Sequence, residues 1–181
     1  MSGFVGPAYT HAAGFEIPEP YYVLGSFVVS FTRSNDGTLE YSVYLNKEAY
    51  QAQKAWVQEK RMPMSKLSPD VIVKIVSDAL RTKLNATAAT TDMVRFVGPA
   101  YTHADGYEIP EPYHVMSSLV VGFKRPHGTL SYETYLNKEA YQNHEHRVDA
   151  HVWDVQEHLP DMLVALSQIL SDGLRAQLSA K

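Results

Sequence analysis

The chain repeats itself, and any fold must accommodate the same segment twice. FVGPAYTHAAGFEIPEPYYV at residues 4–23 returns as FVGPAYTHADGYEIPEPYHV at residues 96–115, 92 positions later. From 4 to 33, 22 of 30 positions match their partners at 96–125, and a second shared block, YLNKEAY, recurs at 44–50 and 135–141. Beyond it the halves drift apart until SDALR at 77–81 answers SDGLR at 171–175. This uneven drift means that the opening segment and its hairpin are more constrained than the helical remainder of each unit. The repeat divides the chain into units 1–92 and 93–181, joined by the small, polar stretch NATAATTD at 85–92.

Each unit opens with a segment punctuated by proline and glycine: Gly6-Pro7, Gly14, Pro18 and Pro20 in the first, Gly98-Pro99, Gly106, Pro110 and Pro112 in the second. Residues before proline are driven towards extended backbone, so these segments read as ordered arms rather than helices. Strands follow at 22–31 and 114–123, rich in Val, Phe and Tyr. Asn35-Asp36-Gly37 and Pro126-His127-Gly128 turn the chain into second strands at 38–45 and 129–136. There Leu39, Tyr41, Val43 and Leu45 alternate with Glu40, Ser42 and Tyr44, the period of a half-buried strand. Asn46 and Asn137 suit N-caps, and helices are expected over 47–60 and 138–157. A second helix in the first unit starts at Ser68-Pro69 and in the other at Pro160-Asp161, each with apolar residues at a 3.6-residue period.

The expected fold is α+β: tandem β-β-α-α repeats forming a pseudo-twofold body, a four-stranded antiparallel sheet covered by helices, with the proline-rich arms guarding its outer edges. Pairing two small units enlarges the core that each can bury.

Charge and composition narrow the function classes. The first unit is neutral, with nine basic and nine acidic side chains; the second carries seven against eleven. This is not the clustered basic surface that nucleic acid requires. There is no cysteine, so disulfides and thiolate chemistry are excluded. No apolar run has the length of a membrane span, and no secretory pattern opens the chain. The expected setting is the cytoplasm, or a virion if the source is viral.

The arms hold the candidate contact residues: Tyr9, His11, Glu16, Glu19 and Tyr21, repeated as Tyr101, His103, Glu108, Glu111 and Tyr113. Histidine and carboxylate together can carry acid–base chemistry, which makes His11 with Glu16, or His103 with Glu108, the alternative catalytic pairs. No nucleophile elbow, phosphate loop or zinc-helix motif accompanies them, and packing or protein contact is the favoured role. On a helix, His151, Asp154 and His158 would share one face, an alternative metal set. The first unit has no histidine on the equivalent stretch, so a solvated face is favoured and no metal or cofactor is expected. Arg33 and Arg125 end matching strands, where they could meet the arm glutamates.

The leading expectation is a non-enzymatic structural or adaptor protein. It would present duplicated surfaces to protein partners in a larger assembly, with self-association included, as a bacteriophage virion or assembly component would. The alternatives are a small-molecule binding protein, or an acid–base or hydrolytic enzyme using the repeated His/Glu/Tyr segment.

Overall fold

The computed structural model describes residues 3–32, 36–86, 92–124 and 127–180. The first half runs through three short arm strands, β1 (Gly3–Val5), β2 (Tyr9–Thr10) and β3 (Glu16–Ile17), into the hairpin β4 (Tyr21–Ser30) and β5 (Asp36–Tyr44). A short helix α1 (Lys47–Gln51), strand β6 (Gln58–Pro63), a 3-10 turn at Met64–Lys66 and helix α2 (Pro69–Lys83) complete it. The second half retraces this path with β7 (Arg95–Val97), β8 (Tyr101–Thr102), β9 (Glu108–Ile109), β10 (Tyr113–Gly122), β11 (His127–Tyr135), α3 (Lys138–Gln142) and β12 (Asp149–Asp154). It ends in α4 (Val155–His158) and α5 (Pro160–Ser179). Arg33, Asn35, Arg125, Pro126 and linker residues 87–91 lie outside the described residues, so the strand-end arginine contacts and parts of both turns do too.

The protein is a mixed α+β structure built on one large antiparallel sheet. The sheet has eight strands rather than four, in the order β12-β11-β10-β4-β5-β6, with β1 beside β4 and β7 beside β10. Each half contributes two more strands than expected: one from its arm and one from the stretch where the first helix was expected to continue.

That helix stops after five residues because the backbone closes on itself. Asn46 and Asn137 do cap α1 and α3, accepting the amides of Ala49 and Ala140 at 2.8 Å. At the other end Gln53 and His144 take left-handed backbone, φ 52° and 57°. The amides around them fold back: Lys54 N to Ala49 O and Gln53 N to Tyr50 O in α1, Glu145 N to Ala140 O and His144 N to Tyr141 O in α3. This double bond pattern terminates a helix, usually with glycine at the left-handed position. The chain then reverses into β6 or β12.

The first strand of each arm lies away from the sheet's outer edges. β4 and β10 pair through 26–30 and 118–122 only, and the unpaired first part of each strand is completed by its own arm strand, β1 at 21–23 and β7 at 113–115. The outer edges are instead β6 and β12. A bulge between Leu24 and Ser26, and its counterpart between Met116 and Ser118, falls where each central strand changes neighbours. Across the seam Val28 faces Val120, its own repeat counterpart, and the pairs on either side (Phe27 with Val121, Val29 with Leu119) exchange roles about that point.

Helices α2 and α5 cover one face of the sheet. Beneath them Phe27, Val29, Leu39, Val43, Leu119, Val121 and Leu130 are fully buried with Ile72, Val76, Leu80, Leu166, Leu170 and Leu174. On the opposite face α1 packs Tyr50 against Tyr21 and Tyr44, and α3 packs Tyr141 against Tyr113 and Tyr135. No helix among the described residues is long and apolar enough to cross a membrane.

Candidate functional site

Each arm is a miniature hairpin whose repeated residues have identifiable tasks. β2 pairs with β3, and β8 with β9. At the tips the amides of Ala13 and Asp105 donate to Nδ1 of His11 and His103 at 3.1 and 3.2 Å. Gly14 and Gly106 close the turns at φ 86° and 88°, a conformation only glycine adopts without strain. His11 stacks on Phe15 and His103 on Tyr107, both with ring centroids 4.6 Å apart. Ile17 and Ile109 anchor the hairpins in the interior. The histidines are thus tip fasteners, while Glu16, Glu19, Glu108 and Glu111 are exposed. Neither Glu16 nor Glu108 pairs with the histidine of its arm among the described residues.

The tyrosines are used inside the protein. Tyr21 and Tyr113 are buried against Tyr50 and Tyr141. Tyr9 bonds to Gln58, and Lys60 Nζ lies 3.8 Å from its ring centroid. Tyr101 donates to Asp149 Oδ2 at 3.0 Å, and Asp149 Oδ1 lies 3.4 Å from His103 Nε2. Because Nδ1 of His103 already accepts a backbone amide, Nε2 is the nitrogen that carries the proton towards Asp149. Each arm therefore leans over its own third strand, β6 or β12.

Beneath the second arm lies a cavity of about 200 Å³ lined by Leu84, Pro99, Tyr101, His114, Tyr132, Thr134 and His151. Strand register explains this gathering. His114 faces Thr134 across β10 and β11, and Tyr132 faces His151 across β11 and β12. His114 Nδ1 and Thr134 Oγ1 are 3.0 Å apart, and both side chains are buried. The His151 ring stacks on Tyr132 with centroids 4.5 Å apart. Gly98 makes room, since a Cβ there would overlap the His114 ring.

Burial, and secondarily His151, lowers the His114 pKa to about 4, so its ring is neutral near pH 7. Burial likewise lowers that of His151. The hydroxyls of Tyr101 and Tyr132 are pushed well above the usual phenol range, first by burial and then by neighbouring acidic groups. The lining is therefore aromatic and uncharged, and the surface it exposes is almost wholly apolar.

His114, Thr134 and the strand setting of His151 are what sequence reading missed. The signal lies in the comparison of the halves: within a nearly identical frame the first has Tyr22, Val43, Lys60 and Gln58 where the second has His114, Thr134, His151 and Asp149.

The helical metal set is corrected by β12. His151 and Asp154 lie on a strand, three residues apart and so on opposite faces, because α3 has already ended. Asp154 caps α4 through the amides of Gln156 and Glu157, and His158 stacks on Trp153. Among the described residues no group of three or more His, Asp or Glu side chains is placed to hold a metal ion.

A second concavity, about 440 Å³, lies on the face opposite α2 and α5. There Glu40 bonds Ser26 at 2.7 Å and Arg61 at 2.8 Å, and Lys124 from the second half bonds Ser42 at 2.8 Å. The Ser26 hydroxyl, assisted by Arg61 and Lys124 and opposed by desolvation, holds the Glu40 carboxyl below its usual range. Glu40 pairs with Arg61, and Lys124, 3.7 Å from Glu59, ties the two halves together across the seam.

Compared with known proteins, the chain matches no family model, no curated protein and no solved structure.

Proposed function

We propose that this protein is a non-enzymatic adaptor whose two halves, duplicated units related by an approximate twofold axis, offer the same arm surface twice to a protein assembly. One observation supports this reading above the others. Within the arms, residues 4–20 and 96–112, exposed side chains are kept as faithfully as buried ones, and the two changes, Ala13 to Asp105 and Phe15 to Tyr107, fall at the tips. Pro7, Ala8, Thr10, Glu16, Pro18 and Glu19 are exposed and identical to Pro99, Ala100, Thr102, Glu108, Pro110 and Glu111.

Packing ordinarily restrains the core and leaves the surface free, so an exposed arm surface kept in both copies apart from its two tip positions favours contact with something outside the chain. Thr10 and Glu16 are cross-strand neighbours on one hairpin, as are Thr102 and Glu108, so these side chains form a patch on each arm. Phe15 and Tyr107, 44% and 43% exposed, stand at the tips. The chemistry fits a protein partner with basic groups beside an apolar surface, in the cytoplasm or within a virus particle. Two arms on one body also allow bivalent engagement, which strengthens binding without any new contact.

Deleting residues 1–20 would strip β1 from β4, so charge reversal is the cleaner test. The variant Glu16→Lys, Glu19→Lys, Glu108→Lys, Glu111→Lys should keep the wild-type unfolding midpoint, because all four side chains are exposed. In a pull-down from native extract, wild type should retain a partner that the variant loses at least tenfold. Equal retention by both proteins, or none by wild type, overturns the reading.

A further inference from the structure

We propose that the outer strand of the second half, β12, is an interaction edge that pairs antiparallel with β12 of a second copy of this chain, about a twofold axis at Val152. The dimer does not rest on the arm reading, and either can fail alone.

Three observations carry the proposal. First, register fixes which residues offer their backbone to the open edge. Across the seam Phe31 N donates to Ser117 O and Phe123 N to Gly25 O, so Val28 and Val120 face each other without bonding. Their amides and carbonyls turn the other way, Val28 to Thr38 and Val120 to Thr129. Pro63 and Asp154, opposite those threonines, therefore point their backbone away from the sheet. At every second residue Arg61 and Glu59 do the same on β6, and Val152 and Ala150 on β12. Pro63 suits its place, having no N–H to give a neighbour.

Second, these two edges occupy equivalent places in the sheet and differ in protection. A free row of donors and acceptors is a template for another strand, and charge or proline ordinarily blunts it. The outward-bonding positions of β6 hold Glu59, Arg61 and Pro63, whereas those of β12 hold Ala150, Val152 and Asp154. Val152 is 67% exposed, more than any other large apolar strand residue among those described. Helix α4, which follows β12, packs back against β11 and buries Val155, so the chain leaves the strand inward rather than across its edge.

Third, β12 is complementary to itself. Opposite residues of an antiparallel pair share a sheet face, which excludes the register that would set Asp149 against Asp154. Centred on Val152, each valine faces its own counterpart, Ala150 faces Asp154, and His151 faces Trp153, with no like charges opposed. Val152 exchanges both backbone bonds with its copy, and each Asp154 amide meets an Ala150 carbonyl. The seam inside the chain already joins the two halves in this way, valine to valine at Val28 and Val120. Once β12 is paired, the edges left are the guarded β6 strands, so the assembly closes at two copies.

Sedimentation equilibrium of the full chain should show a monomer–dimer equilibrium. The variant Ala150→Glu, Val152→Arg installs the residues that β6 carries at the matching positions, Glu59 and Arg61. It should stay folded by circular dichroism and raise the dimer dissociation constant at least tenfold. Val164→Glu changes a similarly exposed valine on α5 and should leave that constant unaltered. In a mixture of labelled and unlabelled wild type, isotope-filtered NMR should show an intermolecular Hα–Hα contact between His151 and Trp153, a non-hydrogen-bonded pair in this register. A protein that stays monomeric at every concentration, a dimer that the double variant leaves intact or Val164→Glu weakens equally, or a dimer without the His151–Trp153 contact would each overturn the proposal.

Discussion

Replacing Phe27 with alanine should lower the unfolding free energy by about 3–5 kcal/mol, the cost of deleting a large buried side chain whose site cannot fully collapse. Phe27 is fully buried, pairs with Leu39 in its own half and faces Val121 across the seam. Its loss opens the shared core rather than one unit. Domains of this size are stable by about 5–15 kcal/mol, so the change removes a large share. Each half carries one tryptophan, Trp56 and Trp153, which can report separately in Trp→Phe backgrounds. Urea titration should show both moving to the same lower midpoint. A loss below about 1 kcal/mol, or a shift confined to Trp56, contradicts a common core.

Acidification should weaken the fold through His114. Its folded pKa, about 4, lies below the ordinary value of 6.5, so the unfolded chain binds the proton more readily. The neutral ring's contribution is therefore complete above about pH 6.5 and is lost as pH falls towards 4, a difference of about 3 kcal/mol. The groups facing the ring are Thr134, Tyr132, Tyr101 and His151, and His151 shifts in the same direction. Surface carboxylates titrate over part of this range, which makes the comparison with His114→Tyr, Thr134→Val essential. Urea midpoints should fall more steeply for wild type than for the double variant between pH 6.5 and 4. Parallel curves contradict the assignment.

Sequence pattern reveals the β4–β5 and β10–β11 hairpins because their two faces differ so sharply. Leu39, Tyr41 and Val43 meet the core, and Glu40 and Ser42 do not. β6 conceals itself for the opposite reason. Its inward residues Gln58 and Lys60 are as polar as its outward Glu59 and Arg61, since they face the arm and its Tyr9 instead of the helices; only Met62 is buried. An edge strand of that kind has no hydrophobic period to read.

The ends of α1 and α3 are equally hidden. The left-handed positions hold glutamine and histidine, where glycine would announce a stop. Extending α3 past that point places His151 on a helix and hides its pairing with Tyr132. The candidate site is half legible. Tyr101 and His103 stand out as repeated residues, whereas His114 is legible only as a departure from the repeat, and its meaning depends on Thr134 lying opposite.

The arms stand in a fixed relation, and the cavity stays under its own arm, only if β4 and β10 of the same chain meet in register about Val28 and Val120. Phe31 N donates to Ser117 O and Phe123 N to Gly25 O, both at 2.9 Å, which makes Val28 and Val120 a non-hydrogen-bonded antiparallel pair. Such partners bring their Hα atoms close together. An NMR cross-relaxation spectrum should therefore contain a strong Hα–Hα contact between Val28 and Val120, and it should persist when labelled protein is diluted into excess unlabelled protein. Absence of that contact, or its loss on dilution because the partner strand belongs to another molecule, would contradict the single-chain sheet on which both proposals stand.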